Sequence, residues 1–137
     1  MPKPFHISIV APDHEVVEDT AVSVVAPGAT GYFGVQAGHV PFLAALRPGL
    51  VEYETQRGER HHIAVSGGFA EVLPDKVVIL ADAAEKAEEI DLDRAQQQLD
   101  RARAALRGEN ASMTSTEAAA TIEKATARIR AAKLGNG

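Results

Sequence analysis

The residue types that could carry out chemistry are scattered along this chain and do not form a recognisable catalytic set. The 137 residues contain five histidines and no cysteine, which excludes thiolate nucleophiles, thiolate metal ligands and disulfides. His61 and His62 are adjacent, and on a strand their side chains would point to opposite faces and could not share a metal ion. Ser66 lacks the G-x-S-x-G frame of a nucleophile elbow. We therefore expect no catalytic residue, no metal site and no enzymatic activity.

Other chemical signals are equally sparse. The glycines do not have the spacing of a phosphate-binding loop, either G-x-x-x-x-G-K-[ST] or G-x-G-x-x-G. His39 has the most unusual setting of the histidines, in a glycine-rich segment from Gly31 to Leu46, but a lone loop histidine is more often a structural hydrogen-bond partner than a catalyst. Carboxylates cluster between Glu85 and Asp93. Solvation and charge at a helix N-terminus explain this cluster without acid–base catalysis.

Charge and hydropathy limit the partners that the chain is expected to have. The net charge is -5, which gives no reason to expect binding to nucleic acid or to an anionic membrane surface. No apolar run approaches the roughly 18 residues that a membrane span requires. The first ten residues also lack the apolar core of a secretory signal. We expect a soluble chain without direct membrane insertion.

The composition changes along the chain. All seven prolines lie at or before Pro74 and all six aromatic residues precede that proline, whereas the later region is rich in alanine. The first part contains short runs of alternating apolar and polar residues, such as Phe5 to Val10 and Leu50 to Thr55, separated by turn residues. This pattern predicts about eight to ten short strands in a sandwich or flattened barrel. We expect a turn at Arg47-Pro48-Gly49 and a bend at Ser66-Gly67-Gly68.

Beyond Ala83 the apolar period lengthens to the three-to-four-residue steps of helices. Asp91 is placed to cap one helix, and Thr114 with Glu117 has the spacing of a capping box that opens a second. The apolar stripes are Leu92, Ala95, Leu99, Ala102 and Leu106, then Ala118, Ile122, Ala125, Ile129 and Ala132. Two such helices with a short connection predict an antiparallel hairpin. Because alanine buries little apolar area, we expect this hairpin to dock weakly and to open; a permanently docked structural hairpin is the alternative.

Two segments resemble the epsilon subunit of F-type ATP synthases. GYFGVQAGHVPFLAALRPG, from Gly31 to Gly49, is similar to that family's G-x-x-G-φ-x-P-G-H-x-P-φ-φ-x-x-φ-x-P-G stretch, and Val65 to Gln96 is similar to its second characteristic block. The start, ISIVAPDHEV, also fits the family's first strand and turn. The resemblance implies a β + α architecture: an N-terminal ten-stranded β-sandwich, residues 1–84, followed by a C-terminal antiparallel two-helix hairpin, residues 85–137.

The resemblance also implies a role. Family members are non-catalytic rotor subunits of the central stalk that bind the gamma subunit and the c-ring and couple proton flow to ATP synthesis. In many bacterial members the hairpin extends toward the alpha/beta catalytic head and inhibits ATP hydrolysis. The implied location is the cytoplasmic face of the bacterial plasma membrane, with no cofactor required and ATP as a regulatory ligand. The alternative from another class is a free-standing ATP-sensing binding module, which requires high ATP affinity in the isolated chain.

Site residues follow from the resemblance only where this sequence matches the family's motifs. The glycine-rich loop implies an interface with the c-ring and the gamma subunit at Gly31, Tyr32, Gly34, Gly38, His39 and Pro41. The I/L-D-x-x-R-A motif, which binds ATP in some bacterial members, is matched by Ile90, Asp91, Arg94 and Ala95. Further positions implicated there are matched by Glu85, Arg101, Lys124 and Arg128.

In the glycine-rich loop, Ala37 stands where the family usually has proline, and Tyr32 where some members carry an acidic residue. One of the nucleotide-binding positions also departs from the family pattern. Lys124 stands where an arginine is expected, and lysine lacks the planar guanidinium fork. Helical spacing places Arg94 and Arg101 away from the apolar stripe of the first helix, and Lys124 and Arg128 away from that of the second. A solvated basic face, with Asp91 as a simple helix cap, is therefore the alternative to a nucleotide site.

Overall fold

The computed structural model describes residues 3–110 and 112–136. This part of the chain contains eight strands, one short 3₁₀ helix and two α-helices. The strands are β1 Phe5–Ala11, β2 His14–Ala21, β3 Ser23–Gly28, β4 Gly31–Val35, β5 Phe42–Glu54, β6 Arg60–Leu73, β7 Lys76–Ala81 and β8 Ala84–Lys86. The 3₁₀ helix Ala87–Glu89 leads to α1, Leu92–Leu106, and α2, Ser115–Asn136.

The eight strands form one hydrogen-bonded sheet. Its order is β2-β1-β7-β6-β5-β3-β4, and β8 pairs with β6 beside this path. β1 and β7 are parallel, whereas the other paired strands are antiparallel. β7 pairs with the C-terminal part of β6, from Gly68 to Leu73, and β8 pairs with Ile63 to Val65. The two halves of β6 therefore belong to opposite layers, and the sheet folds over into a β-sandwich.

The expected count of ten strands is wrong for the described residues, which form eight. β5 continues through Pro48 and Gly49, where a turn was expected, because these residues stay paired with Ser66 and Val65. β6 bends at Gly67 and Gly68 without ending; their φ angles are +116° and +134°, in a region that favours glycine. The two long strands, β5 and β6, each contribute one segment to each layer. If the two segments of each long strand are counted separately, the sandwich has ten strand segments.

Large branched side chains fill the space between the layers. They come from alternate positions of the strands, as expected when one face of each strand is buried. The branched side chains among the largest almost completely buried ones are Ile7, Ile9, Val24, Val51, Ile63, Val72, Val77 and Ile79. Burial of one such side chain stabilises a fold by about 1.5–3 kcal/mol. The sandwich therefore has a core of its own, formed without α1 or α2.

Both predicted helix caps are confirmed. The carboxylate of Asp91 accepts a hydrogen bond from the backbone N–H of Arg94 at 3.1 Å. Thr114 and Glu117 make the reciprocal capping-box bonds, at 3.1 and 3.3 Å. After α1, Gly108 takes a φ of +78°, which closes the helix C-terminus. In the described residues, neither helix combines the length and the apolarity needed to cross a bilayer.

The hairpin is docked on the sandwich through α2. The α2 side chains lie over the outer face of β5 and β6, in a cluster of six buried residues: Leu50, Ala64, Ala87, Ile90, Ala131 and Ala132. Four of these six are alanines, so the contact is close but buries little apolar area. β8 and the 3₁₀ helix lie between the two parts, and β8 includes residues on both sides of the expected 84/85 boundary. The strength of this docking stays a prediction.

Neither described helix covers the opposite outer face of the sandwich. Ala45 pairs with Phe69, Phe69 with Leu80, and Leu80 with Val10, so these four residues form a row across four strands. Leu43 lies two residues from Ala45 on the same face. The exposed fractions of Leu43, Phe69 and Leu80 are 70%, 54% and 56%. We call these five residues the apolar patch; a contiguous exposed patch of this kind is typical of a surface that binds another protein.

Gly135 allows a direct test of the docking contact. A Cβ atom added there would overlap the methyl group of Ala87. We predict that Gly135→Ala weakens docking by about 1–2 kcal/mol through overpacking, although alanine is the better helix former. Hydrogen–deuterium exchange should show faster exchange in α2 and unchanged exchange in the sandwich core.

Gly34→Ala is the matched control, because a Cβ there would lie 3.9 Å from the nearest atom, the Val24 carbonyl oxygen. Equal protection of α2 in the Gly135→Ala and Gly34→Ala chains would contradict the close contact.

Candidate functional site

A cleft lies between the sandwich and the hairpin. Its cavity volume is about 290 Å³. The apolar residues that line it are Ala64, Val65, Ala83 and Ala84. The polar residues that line it are Ser66, Glu85, Gln98, Thr121, Lys124 and Arg128. A concave site lined by apolar residues and a few polar groups is typical of a small-molecule site.

Three different elements position the main polar groups of the cleft. Glu85 is on β8, opposite Ala64 of β6, and Gln98 projects from the middle of α1. Lys124 and Arg128 are four residues apart on α2, so they lie on the same helix face. The tertiary structure thus brings a carboxylate of the sandwich to two cations of the hairpin.

Arg128 is the centre of this arrangement. Its side chain is only 18% exposed, whereas that of Glu85 is 41% exposed. Nη1 donates a hydrogen bond to the Gln98 side-chain oxygen at 2.5 Å, and Nη2 donates one to Glu85 Oε2 at 3.4 Å. One guanidinium therefore ties α2 both to α1 and to the sandwich.

The third nitrogen of this guanidinium is imperfectly satisfied. Nε lies 2.6 Å from Glu85 Oε1, yet within the described residues it is buried without a well-directed hydrogen bond. The two observations differ because an ion pair depends on distance, whereas a hydrogen bond also needs the N–H to point at the acceptor. Arg128 is thus electrostatically paired but retains unused hydrogen-bonding capacity.

The structure brings together only three of the eight nucleotide-binding candidates: Glu85, Lys124 and Arg128 line the cleft. The other five lie elsewhere. Ile90 is buried in the docking cluster and Ala95 in the seam between the helices. Asp91 caps α1, and Arg94 and Arg101 are exposed.

The alternative of a solvated basic face therefore fits Arg94 and Arg101. It is wrong for Arg128, which is mostly buried between the hairpin and the sandwich.

Gln98, Ser66 and Thr121 were not predicted from the sequence. After Arg128, Gln98 contributes most to the polar contacts of the cleft, because it accepts the shortest hydrogen bond of Arg128. No local signal distinguishes it from its neighbours Gln96 and Gln97, because its role depends on where α2 crosses α1. Within the described residues, histidine and carboxylate side chains form no group of three that could hold a metal ion.

The glycine-rich loop is the second candidate site. Gly31, Tyr32 and Gly34 are on β4, whereas Gly38, His39 and Pro41 are in the connection to β5. The backbone N–H of Gly38, at a φ of +80°, donates to the Pro74 carbonyl at 2.9 Å.

The side chains of this loop have different surroundings. The His39 ring packs edge-on against Phe42, with 5.3 Å between centroids. The Tyr32 hydroxyl accepts a hydrogen bond from the Leu50 N–H at 3.1 Å. Tyr32 therefore faces the layer that carries α2, whereas His39 packs beside the start of β5.

Comparison with known proteins decides the family. Residues 4–87 match the model of the ATP synthase delta/epsilon chain β-sandwich domain. The chain belongs to the ATP synthase delta/epsilon family. Relatives named ATP synthase epsilon chain include one from Nitratidesulfovibrio vulgaris, 50% identical over 97 residues, which are 71% of this chain and 72% of the relative. The Koribacter versatilis epsilon chain is 52% identical over 93 residues, 68% of this chain and 65% of the relative.

Solved structures extend the likeness beyond the sandwich. A chain of the Euglena gracilis mitochondrial ATP synthase matches with a TM-score of 0.82 at 25% identity, covering 97% of this chain and 83% of that one. A chain from the central stalk and c-ring of the Tetrahymena thermophila mitochondrial ATP synthase matches with a TM-score of 0.55 at 15% identity, covering 97% and 96%, and shows the fold alone. The family assignment thus rests on the sandwich, and the Euglena likeness includes the helices.

Replacement of Arg128 tests whether this ion pair contributes to docking. We predict that Arg128→Met weakens docking by about 1 kcal/mol, because the methionine keeps the apolar stem but loses the bonds to Gln98 and Glu85. The figure is small because the carboxylate that remains is partly exposed to water. Faster hydrogen–deuterium exchange in α2 would measure the effect.

Arg130→Met is the matched control, because Arg130 is on the same helix and exposed. An equal gain of exchange in both variants would contradict a specific role for Arg128.

Proposed function

We propose that the chain is a non-catalytic central-stalk subunit of an F-type ATP synthase. In this role it binds the rotor, contributes to coupling proton translocation to ATP synthesis, and inhibits ATP hydrolysis through its C-terminal helices. The observation that carries the proposal is the contrast between the two parts: a sandwich with its own core, and a hairpin docked on it mainly through alanines. A sandwich with its own core suits a fixed binding domain, and a hairpin docked through small side chains suits a mobile inhibitory domain.

The apolar patch supports the rotor contact. Its residues lie on the sandwich face that the hairpin does not cover, so a partner can bind there whether the hairpin is docked or extended. We assign this face to the gamma subunit, because burial of exposed leucine and phenylalanine side chains favours association. The loop from Gly31 to Pro41 is assigned to the polar loops of the c-ring. Its glycines permit a close backbone approach.

The docked hairpin supports the regulatory part of the proposal. Its contact with the sandwich combines small side chains with the Glu85–Arg128 pair and an exposed pair between Arg47 and Glu123. Exposed ion pairs contribute roughly 0–1 kcal/mol each, so a competing surface on the alpha/beta catalytic head can draw the helices away. The proposed location is the cytoplasmic face of a bacterial plasma membrane, as a peripheral part of the complex.

The test is ATP hydrolysis by a catalytic head that lacks its epsilon subunit but retains the gamma subunit. The full chain should bind and slow turnover, whereas a chain truncated after Ala87 should bind without slowing it. The truncation keeps β8, which pairs with β6. Binding of both chains without inhibition by either would contradict the regulatory role.

A chain with Phe69→Ser and Leu80→Ser is the control for the anchor. Because both residues are exposed, their replacement should leave the fold intact while reducing binding to the head. Undiminished binding would place the gamma contact on another surface.

A regulatory nucleotide site is the second proposal, and the cleft supports it. The apolar residues of the lining offer area for a base, and the cations of Lys124 and Arg128 suit the phosphate chain of ATP. Because the walls come from both the sandwich and the hairpin, a ligand in the cleft would favour the docked state. Isothermal titration of the isolated chain with ATP should give saturable one-to-one binding. Affinity high enough for sensing without any ATP synthase partner would favour the free-standing module.

A further inference from the structure

We infer that Tyr32 holds in place the part of β5 on which the hairpin docks, so that a residue of the glycine-rich loop sets how tightly α2 is held. Tyr32 is then a positioning residue for the hairpin as well as a candidate contact for a partner. Docking is a property of the isolated chain, whereas the effect of Tyr32 on ATP hydrolysis rests on the proposed function.

β5 loses its regular pairing with β3 over a short stretch. Val25 pairs with Glu52, and Gly28 pairs with Leu46. Residues 26–27 of β3 therefore lie opposite residues 47–51 of β5, which we call the docking stretch. Because the docking stretch is longer than the segment that it faces, a regular ladder of hydrogen bonds to β3 cannot form along it. Other contacts must fix its position on this side.

The docking stretch carries two of the contacts between the sandwich and α2. Leu50 is buried in the docking cluster together with Ala131 and Ala132 of α2. Arg47 forms an ion pair with Glu123 of α2, with 3.3 Å between Nη2 and Oε1. Both contacts depend on where the docking stretch lies.

Tyr32 connects the docking stretch with β3 and β4. It is the cross-strand partner of Pro27, and its hydroxyl accepts a hydrogen bond from the Leu50 backbone N–H at 3.1 Å. A Cβ atom added at Gly49 would lie 2.7 Å from the Tyr32 hydroxyl oxygen and 2.7 Å from the Pro27 Cβ. The three strands therefore meet closely at this point.

Burial agrees with this close contact. Val25 and Pro27 lie on the same face of β3 because side chains alternate along a strand. Val25 is nevertheless 36% exposed, whereas Pro27 is less than 2% exposed. Tyr32 and the docking stretch lie against Pro27 and account for the difference. Tyr32 also lines, together with Leu134 of α2, a cavity of about 400 Å³, so it borders the C-terminal end of the hairpin.

Loss of the Tyr32 hydrogen bond would change the docking surface. The Leu50 N–H would need another acceptor, because a partly buried donor without one is costly, and the docking stretch would shift to find it. Contacts between small side chains lose much of their attraction when they separate by even 1 Å. A partner that draws Tyr32 outward would therefore loosen α2, and by linkage a docked α2 would hold Tyr32 in place.

The experiment is hydrogen–deuterium exchange of the full chain with wild-type sequence, with Tyr32→Phe and with Tyr53→Phe. Tyr32→Phe keeps the ring and removes only the hydroxyl. We expect the amides of α2 to exchange about fivefold faster in this variant, as for the loss of one hydrogen bond. The amides of β1 and β7 in the sandwich core should change much less.

Tyr53→Phe is the matched control. The Tyr53 hydroxyl donates a hydrogen bond to Asp19 at 2.9 Å, so this substitution also removes one tyrosine hydroxyl bond from the sandwich. That bond joins β5 to β2 and does not involve the docking stretch. The ratio of exchange in α2 to exchange in the core should therefore stay at its wild-type value.

ATP hydrolysis by a catalytic head that lacks its epsilon subunit provides the functional measurement. At saturating concentrations, Tyr32→Phe should slow turnover more than the wild type does, because more of its hairpins are undocked. Faster exchange in α2 without stronger inhibition would support the role of Tyr32 in docking and contradict the regulatory part of the proposed function.

Three results would overturn the inference. If Tyr32→Phe speeds exchange in the docking stretch but not in α2, the hydrogen bond matters only within the sandwich. If exchange changes in neither segment, the bond does not fix the docking stretch. If Tyr32→Phe and Tyr53→Phe speed exchange in α2 equally, the effect is a general loss of sandwich stability.

Discussion

The long pairing of β5 with β6 in a single register is the constraint on which the rest of the structure depends. The two strands stay in register from Phe42 opposite Val72 to Glu54 opposite Arg60. A sheet of this length can enclose a core only if both strands bend together, and β6 bends at Gly67 and Gly68, beside Leu46 to Pro48 of β5. Gly68 is essential there because a Cβ atom would overlap the Leu80 carbonyl. One bend thus creates two layers and the core between them.

The same bend gives the sandwich two different outer faces. On one face, Leu50 and Ala64 lie beneath α2. On the other, the apolar patch is uncovered. The first face carries a contact of small side chains, and the second exposes larger ones. In the function proposed above, this division would make binding to a rotor independent of the position of the hairpin.

At the cleft, few charged groups connect the hairpin with the sandwich. Arg128 is mostly buried, and a buried guanidinium needs partners because an unpaired charge away from water is costly. Glu85 and Gln98 are those partners, one from the sandwich and one from α1. Their contribution to stability is limited by the exposure of Glu85, which lets water screen the pair. An arrangement of this kind specifies where the hairpin docks more than it strengthens the docking.

The amino-acid sequence by itself determined the local features of this protein: the strand periodicity, the Asp91 cap, the Thr114–Glu117 capping box, and the family resemblance that the family match confirmed. These features depend on residues within a few positions of each other or on motifs that stand in linear order. Tertiary structure alone decided that β5 and β6 run through their expected turns, and that Glu85, Gln98 and Arg128 meet whereas Arg94 and Arg101 stay in solvent. The reason is physical, because strand pairing and helix crossing depend on the free energy of contacts between distant residues, which no short stretch of the chain encodes.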